Sequence, residues 1–448
     1  MSRRAVLCLA LLLPVSIPAS AGAQVPGGDG SRDFVRVVDG GFRIGDRPYH
    51  FIGVNFWFGM NLGAEHPSGD RARLVRELDR MAELGIRNLR VMAATEGPAG
   101  EPWRVHPAVQ NAPGEYDERV LRGLDFLLAE MAKRDMRAVL VLNNFFQWSG
   151  GMPQYVSWAT GDPIPYPSQS ESWDTFQRFS ARFYGLPEAR ALFERYVGML
   201  IDRENTITGV AYRDDPTIMS WQLSNEPRGF QETEAYVDWV DEASWFVQER
   251  APNQLVSLGG EGKLTPYEET QFSRVAASPG LDYVTVHLWI ENWGWYRPRE
   301  SPAASFPVAV GRSMAYLAEH VAVAERLGKP LVLEEFGVSR DGLDYDPSAP
   351  VTYRNEFYRI MFEALHKAAL EGTVVAGGNV WSWTGEARPV EPGGTWSPGD
   401  PFTGDPPHEL QGWYSIYDDD TSTLALIREY AARMRQIDAA SAASGDGR

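Results

Sequence analysis

Two glutamates stand in the contexts best suited to chemistry: Glu226 in Ser224-Asn225-Glu226-Pro227, and Glu335 in Glu334-Glu335-Phe336-Gly337. Each string ends a short apolar or β-branched run, Ile218–Leu223 and Leu331–Glu335, so each carboxyl belongs at the C-terminal end of a strand. Two facing carboxyls can divide the cleavage of an acetal such as a glycosidic bond. One protonates the departing oxygen while the other attacks or activates water. A gap of about 5–5.5 Å gives a covalent intermediate and retention, a wider one gives inversion, and a sequence does not measure it. The acid keeps its proton through a neighbouring anion and desolvation; the nucleophile stays ionised beside an arginine and hydrogen-bond donors. Glu334 competes with Glu335, but adjacent strand residues face opposite ways, so only one is expected in the pocket. Glu335, preceding Phe336-Gly337, is that one. Glu261 is a supporting or binding candidate.

These residues need a scaffold that gathers strand ends. Eight apolar runs recur along the chain: Phe51–Phe56, Asn88–Ala93, Ala138–Asn143, Ile218–Leu223, Leu255–Leu258, Tyr283–Leu288, Leu331–Glu335 and Val374–Val380. Helical patterns lie between them at Asp70–Leu84, Glu118–Arg134, Ala189–Arg203, Glu234–Arg250, Ser313–Leu327 and Tyr353–Leu370. Such alternation predicts an α/β fold, a (β/α)8 TIM barrel whose strand ends converge on one pocket. A doubly wound open sheet is the competing fold, but no Gly-rich phosphate loop follows the first strand. Phe34–Val38 and Phe42–Ile44 flank Asp39-Gly40-Gly41, an N-terminal β-hairpin signal placed at the barrel's bottom. Long loops, Asn144–Glu188 and Thr384 to about Asp420, belong on the catalytic face. The small polar tail after Ala439 is expected to fray.

The remaining strand ends supply Arg90, His287-Leu288-Trp289 and Trp381-Ser382-Trp383, a rim of cation, imidazole and indole. Each has a blander reading: a structural ion pair for Arg90, a core histidine for His287, and core packing for the tryptophans. Trp57, Trp148, Trp158, Trp293 and Trp295 lie near strand ends or in loops, and as a group suggest sugar subsites.

Composition narrows the partners. A net charge of −18 argues against nucleic acid and anionic lipid, and suits a neutral substrate. Arg3 and Arg4, the apolar stretch Ala5–Ile17 and Ala21-Gly22-Ala23 read as an export signal over residues 1–23, cleaved near Ala23. Secretion is therefore expected, with no membrane partner after cleavage. The one cysteine, Cys8, lies inside that stretch, so the mature chain has no thiol. No linker divides residues 32–438, which read as one catalytic domain and a monomer.

The strings Trp221-Gln222-Leu223-Ser224-Asn225-Glu226-Pro227-Arg228, Val286-His287-Leu288-Trp289, Asn292-Trp293-Gly294-Trp295 and Glu335-Phe336-Gly337, in this order, resemble glycoside hydrolase family 5. The wider strings around Glu226, His287 and Trp293 bring the resemblance closer to its endo-β-1,4-mannanase branch, and Leu89-Arg90-Val91-Met92 and Ser149-Gly150-Gly151-Met152 agree with bacterial members, over about Phe34 to Arg435. The resemblance implies Glu226 as general acid/base and Glu335 as nucleophile of a retaining enzyme. It further implies Asn225 on the substrate 2-hydroxyl, Arg90 supporting the nucleophile, and His287 beside the acid/base. Trp381, or Trp383 two residues on, would be the stacking platform. Trp289 stands where many members have a tyrosine that donates to the nucleophile. With Trp57 and Trp295, these residues make up the expected substrate-binding set. A β-mannan polysaccharide or manno-oligosaccharide is the implied substrate.

Competing functions leave different traces. A metal-dependent hydrolase needs paired histidines, and all seven here are isolated, so neither metal nor cofactor is expected. A non-catalytic carbohydrate-binding barrel would have lost a carboxylate, and both are present. An exo-acting β-mannosidase or a β-1,4-glucanase would use the same constellation.

Overall fold

The computed structural model describes residues 33–98, 100–167, 172–262 and 271–445, the side chains of 441–445 excepted. The expected export signal lies outside them. Eight parallel strands form the core: β1 (Phe51–Asn55), β2 (Asn88–Met92), β3 (Arg137–Val141), β4 (Ile218–Gln222), β5 (Leu255–Ser257), β6 (Val284–Leu288), β7 (Leu331–Phe336) and β8 (Val375–Val380). They lie in the order β5-β4-β3-β2-β1-β8-β7-β6. Every residue of β1 to β8 is buried, because helices cover the outer face and side chains fill the inner one. Between β5 and β6 no ladder forms among the described residues. The ring is closed there by single hydrogen bonds: Asp282 N–H to the Val256 carbonyl at 2.8 Å, Thr285 Oγ1 to that of Gly260 at 3.0 Å, and His287 N–H to that of Glu261 at 3.0 Å.

The hairpin of Val35–Val38 and Gly41–Ile44 turns through Asp39 (φ 50°) and Gly40 (φ 74°), the two positive φ values of a tight right-twisted turn. Val35 and Phe42 join Phe51, Val139, Met219, Leu255, Val332 and Ala376 in an apolar plug at the barrel's bottom. Above it the lining turns polar, with Asn55, Arg90, Gln222 and Glu334 buried. An apolar base under a polar mouth confines the chemistry to one end.

The expected helices are present, Ser313–Leu327 as the second half of Pro302–Leu327. Proline at its first position and Pro307 inside hide the earlier turns from a periodicity reading. The stretch 144–188 is largely helical rather than a loop, with Gly151–Thr160 and Trp173–Gly185 packed on the barrel. At the C-terminus a helix, Thr421–Gly445, continues through the segment expected to fray. The other long segment, 384–420, has little regular structure and is held by Asp405. That carboxylate accepts the Tyr414 N–H at 2.7 Å, the Gly412 N–H at 2.8 Å and the Ser415 hydroxyl at 2.5 Å.

Candidate active site

Glu226 follows β4 in the left-handed backbone region, φ 48°, a conformation costing a non-glycine residue roughly 1–2 kcal/mol. Its N–H is held at 2.9 Å by the carbonyl of Gly259, just beyond β5. Glu335 is the last residue but one of β7, where one extra residue enters the ladder: Val286 pairs with Leu333, yet His287 pairs with Glu335. The skipped residue is Glu334. This irregularity overturns the expectation that only one of the two glutamates faces inward. Glu334 points into the barrel, where Gln222 Nε2 donates to its oxygens at 2.8 and 2.9 Å, and Glu335 still reaches the cleft.

Arg90, on β2, ties these groups together. Its guanidinium donates to Glu335, to Gln222 Oε1 at 2.7 Å, to Asn225 Oδ1 at 2.8 Å and to Asn55 Oδ1 at 3.2 Å, and lies 3.5 Å from Glu334. His287, fully buried on β6, sits between the two carboxyls. Its Nδ1 is 2.7 Å from Glu226 and 3.2 Å from Glu335, and Nε2 is 3.6 Å from Glu334. Oxygens of Glu226 and Glu335 and a ring nitrogen of His287 all lie within 4.8 Å of one another. No space for an intervening attacking water separates carboxyls this close, so the geometry fits attack by a carboxylate.

Burial pushes Glu335 up to about 7, aided by the charges of Glu226 and Glu334 and opposed by His287 and Arg90. Burial also raises Glu226, but the hydrogen bond and charge of His287, with Arg228 and the Trp289 indole, outweigh it and bring Glu226 down to about 2. Burial lowers His287, yet Glu335, Glu226 and Glu334 lift it to about 10. The pair thus holds one proton between its two carboxyls over the acid-to-neutral range. The imidazolium touching both oxygens offers that shared proton a path from one carboxyl to the other.

The aromatic expectations divide. Trp381 lines the cleft, its ring 5.8 Å from that of Trp289 and nearly perpendicular to it. Trp383 does not share that position: it is fully buried, and its indole N–H donates to Glu77 at 3.0 Å. Trp289 lines the cleft and donates to Glu226 at 3.2 Å, so its indole serves that carboxyl and not Glu335. Trp148 and Trp293 also line the cleft. Trp57 is a correction: only 3% exposed, it gives its N–H to the Gly404 carbonyl and supports Trp148 from beneath instead of facing the opening. Trp158 packs on Tyr155, and Trp295 lies beyond the cleft wall against Trp293 and Tyr316.

Other cleft residues were not singled out in the sequence. Glu261 was; it lines the wall and accepts from Arg228 at 2.5 Å, and burial together with the neighbouring Glu226 raises it to about 7 against the pull of Arg228. His408 and Glu409, from 384–420, also enter the cleft, as do Phe146, Trp173 and Gln177 from 144–188. His408 stacks on Trp148 with rings 4° from parallel, and burial lowers it to about 4. Only the position of their segment after β8 pointed to His408 and Glu409; nothing in local periodicity marks one polar residue of an irregular loop.

A (β/α)8 barrel with two close carboxyls at its C-terminal mouth defines a glycoside hydrolase site, and the chain belongs to glycoside hydrolase family 5. The family model described as GH family 5 beta-mannosidase-like matches residues 32–439. Among curated relatives, mannan endo-1,4-beta-mannosidase 5 of Arabidopsis thaliana is 30% identical over 76% of this chain and 76% of its own length. Mannan endo-1,4-beta-mannosidase 1 of Oryza sativa subsp. japonica is 31% identical over 85% of this chain and 84% of its own. Among solved structures, a glycoside hydrolase family 5 mannosidase from Rhizomucor miehei superposes with a TM-score of 0.84 at 40% identity, covering 91% of this chain and 99% of that one. A glutamate-to-alanine mutant of it has been solved in complex with mannosyl-fructose.

Proposed function

We propose that the chain is a retaining endo-β-1,4-mannanase that cleaves internal β-1,4-mannosidic linkages of mannan, glucomannan or galactomannan by double displacement. The observation that carries this reading is the approach of Glu226 and Glu335 to within 4.8 Å around His287. Glu335, oriented by Arg90, attacks the anomeric carbon. Glu226 protonates the departing oxygen and then, as a base, activates the water that releases the sugar. Asn225 meets the substrate 2-hydroxyl, and Trp381 carries the sugar at the cleavage point. Trp289 holds Glu226, and Trp295 contributes to a distal subsite. The names of the two plant relatives support mannan as substrate. The enzyme is exported through its N-terminal signal and acts as a monomer without a cofactor.

A second reading, exo-acting β-mannosidase on manno-oligosaccharides, is favoured by the Rhizomucor miehei mannosidase and by Pro406, His408 and Glu409, which wall the cleft. Time-resolved products from linear mannan and mannohexaose separate the two. Mixed oligosaccharides from the outset mean internal cutting, mannose alone means exo action, and no release from either substrate overturns the mannan assignment.

A further inference from the structure

A second cavity, of about 410 Å³, opens between the loop after β2 and the far side of segment 384–420. That volume lies within the range of small-ligand sites. Its walls include Glu101, Trp103, Arg104 and His106 on one side, and Trp396 and Ser397 on the other. The segment therefore has two working faces: Pro406, His408 and Glu409 face the cleft, and Trp396 and Ser397 face this hollow.

Three features mark the hollow as more than a packing gap. Trp103 is held at φ 49°, a left-handed conformation rare for a bulky side chain, and its ring meets Tyr166 edge-on at 6.1 Å. Two donors enclosed in the wall, Trp396 Nε1 and Arg104 Nε, have no acceptor among the described residues; buried polar groups are otherwise almost always paired. Charge is locally balanced. Arg104 gives its other donors to Gln154 at 2.6 Å and the Tyr166 hydroxyl at 2.7 Å, and that hydroxyl donates to Glu101 at 2.5 Å. Neither an anion nor a cation finds a dedicated counter-charge. An indole wall and a carboxylate acceptor match a neutral polyhydroxylated ring, with one apolar face and hydroxyls at its edge.

We propose that this hollow is a second carbohydrate site that holds a stretch of the substrate polysaccharide away from the cleavage point. The identity of the sugar rests on the mannan reading above. The test is affinity electrophoresis of the Glu335→Gln chain in native gels with and without soluble mannan, adding either Trp103→Ala or the space-filling Ser397→Trp. Retardation by mannan should weaken by about tenfold in both double variants, as for loss of one well-packed aromatic contact. In otherwise unaltered enzyme, the same two changes should raise the ratio of KM for polymer to KM for an aryl β-mannoside. Unchanged retardation in both variants, or a Glu335→Gln parent that mannan does not retard while wild type digests mannan, overturns the second site and leaves the activity standing. Wild type that releases nothing from mannan overturns the activity itself.

Discussion

At the scale of single residues, the site is a proton-sharing problem solved with few groups. Glu226 and Glu335 share one proton, and kcat/KM, which reports the free enzyme, should follow that occupancy. The rate is expected to hold on the acid side of neutrality and fall as pH rises through about 7, where the pair gives up the proton the leaving oxygen needs. A pH profile flat to pH 9 would contradict this. Arg90 makes the second prediction. Lysine keeps the charge but not the fork that reaches Glu335, Gln222 and Asn225 together. Arg90→Lys should lower kcat by about 10²-fold, the cost of a misplaced reacting group, with a smaller effect on KM. Steady-state kinetics on mannohexaose decide it. The sequence placed Glu226, Glu335 and His287 at or just beyond the ends of apolar runs, and Arg90 inside one. It did not show that Glu334 would also turn inward, because an irregularity of one residue in β7 leaves no mark in composition.

Elements set the distances between these residues. The loop after β5 does so through Gly259, at φ 81°, where an added Cβ would lie 1.9 Å from the Ser224 carbonyl. The same residue's carbonyl holds the N–H of Glu226. Gly259→Ala should therefore push the β4 end aside and reduce kcat by about 10²-fold. Its Tm should fall less than that of a barrel-core truncation such as Leu140→Ala, where about 2–5 kcal/mol is at stake. Scanning calorimetry beside kinetics tests the pairing. Trp295→Ala should raise KM for polymer more than for an aryl glycoside, and equal effects would remove Trp295 from the distal subsites. The eight strands were legible because burial on both faces makes their runs continuously apolar. The helices of 144–188 were not: glycines and prolines break up the stretch, and Trp173 and Gln177 on its second long helix turn to the cleft. Trp57 was misplaced for a related reason, since a strand-end position does not tell a ring facing the opening from one beneath it.

For the whole molecule, stability and chemistry are linked through His287. Its folded-state value near 10 stands above the ordinary 6.5, so its protonation stabilises the fold fully below about 6.5. That contribution is lost as pH rises toward 10. The Tm of wild type should accordingly decline between about pH 7 and 10, and His287→Gln should flatten that decline while lowering Tm at pH 6. The ring of strands adds a further consequence. Glu226 and Glu261 hang from the β4–β5 side of the ladderless gap, and His287 and Glu335 from the β6–β7 side. The hoop is thus thinnest where the two acids must be kept a fixed span apart. Warming should loosen this stave before the others, exposing its amides to deuterium early and letting the acids drift out of range. Turnover should fade at a temperature where the circular dichroism is still that of a folded barrel.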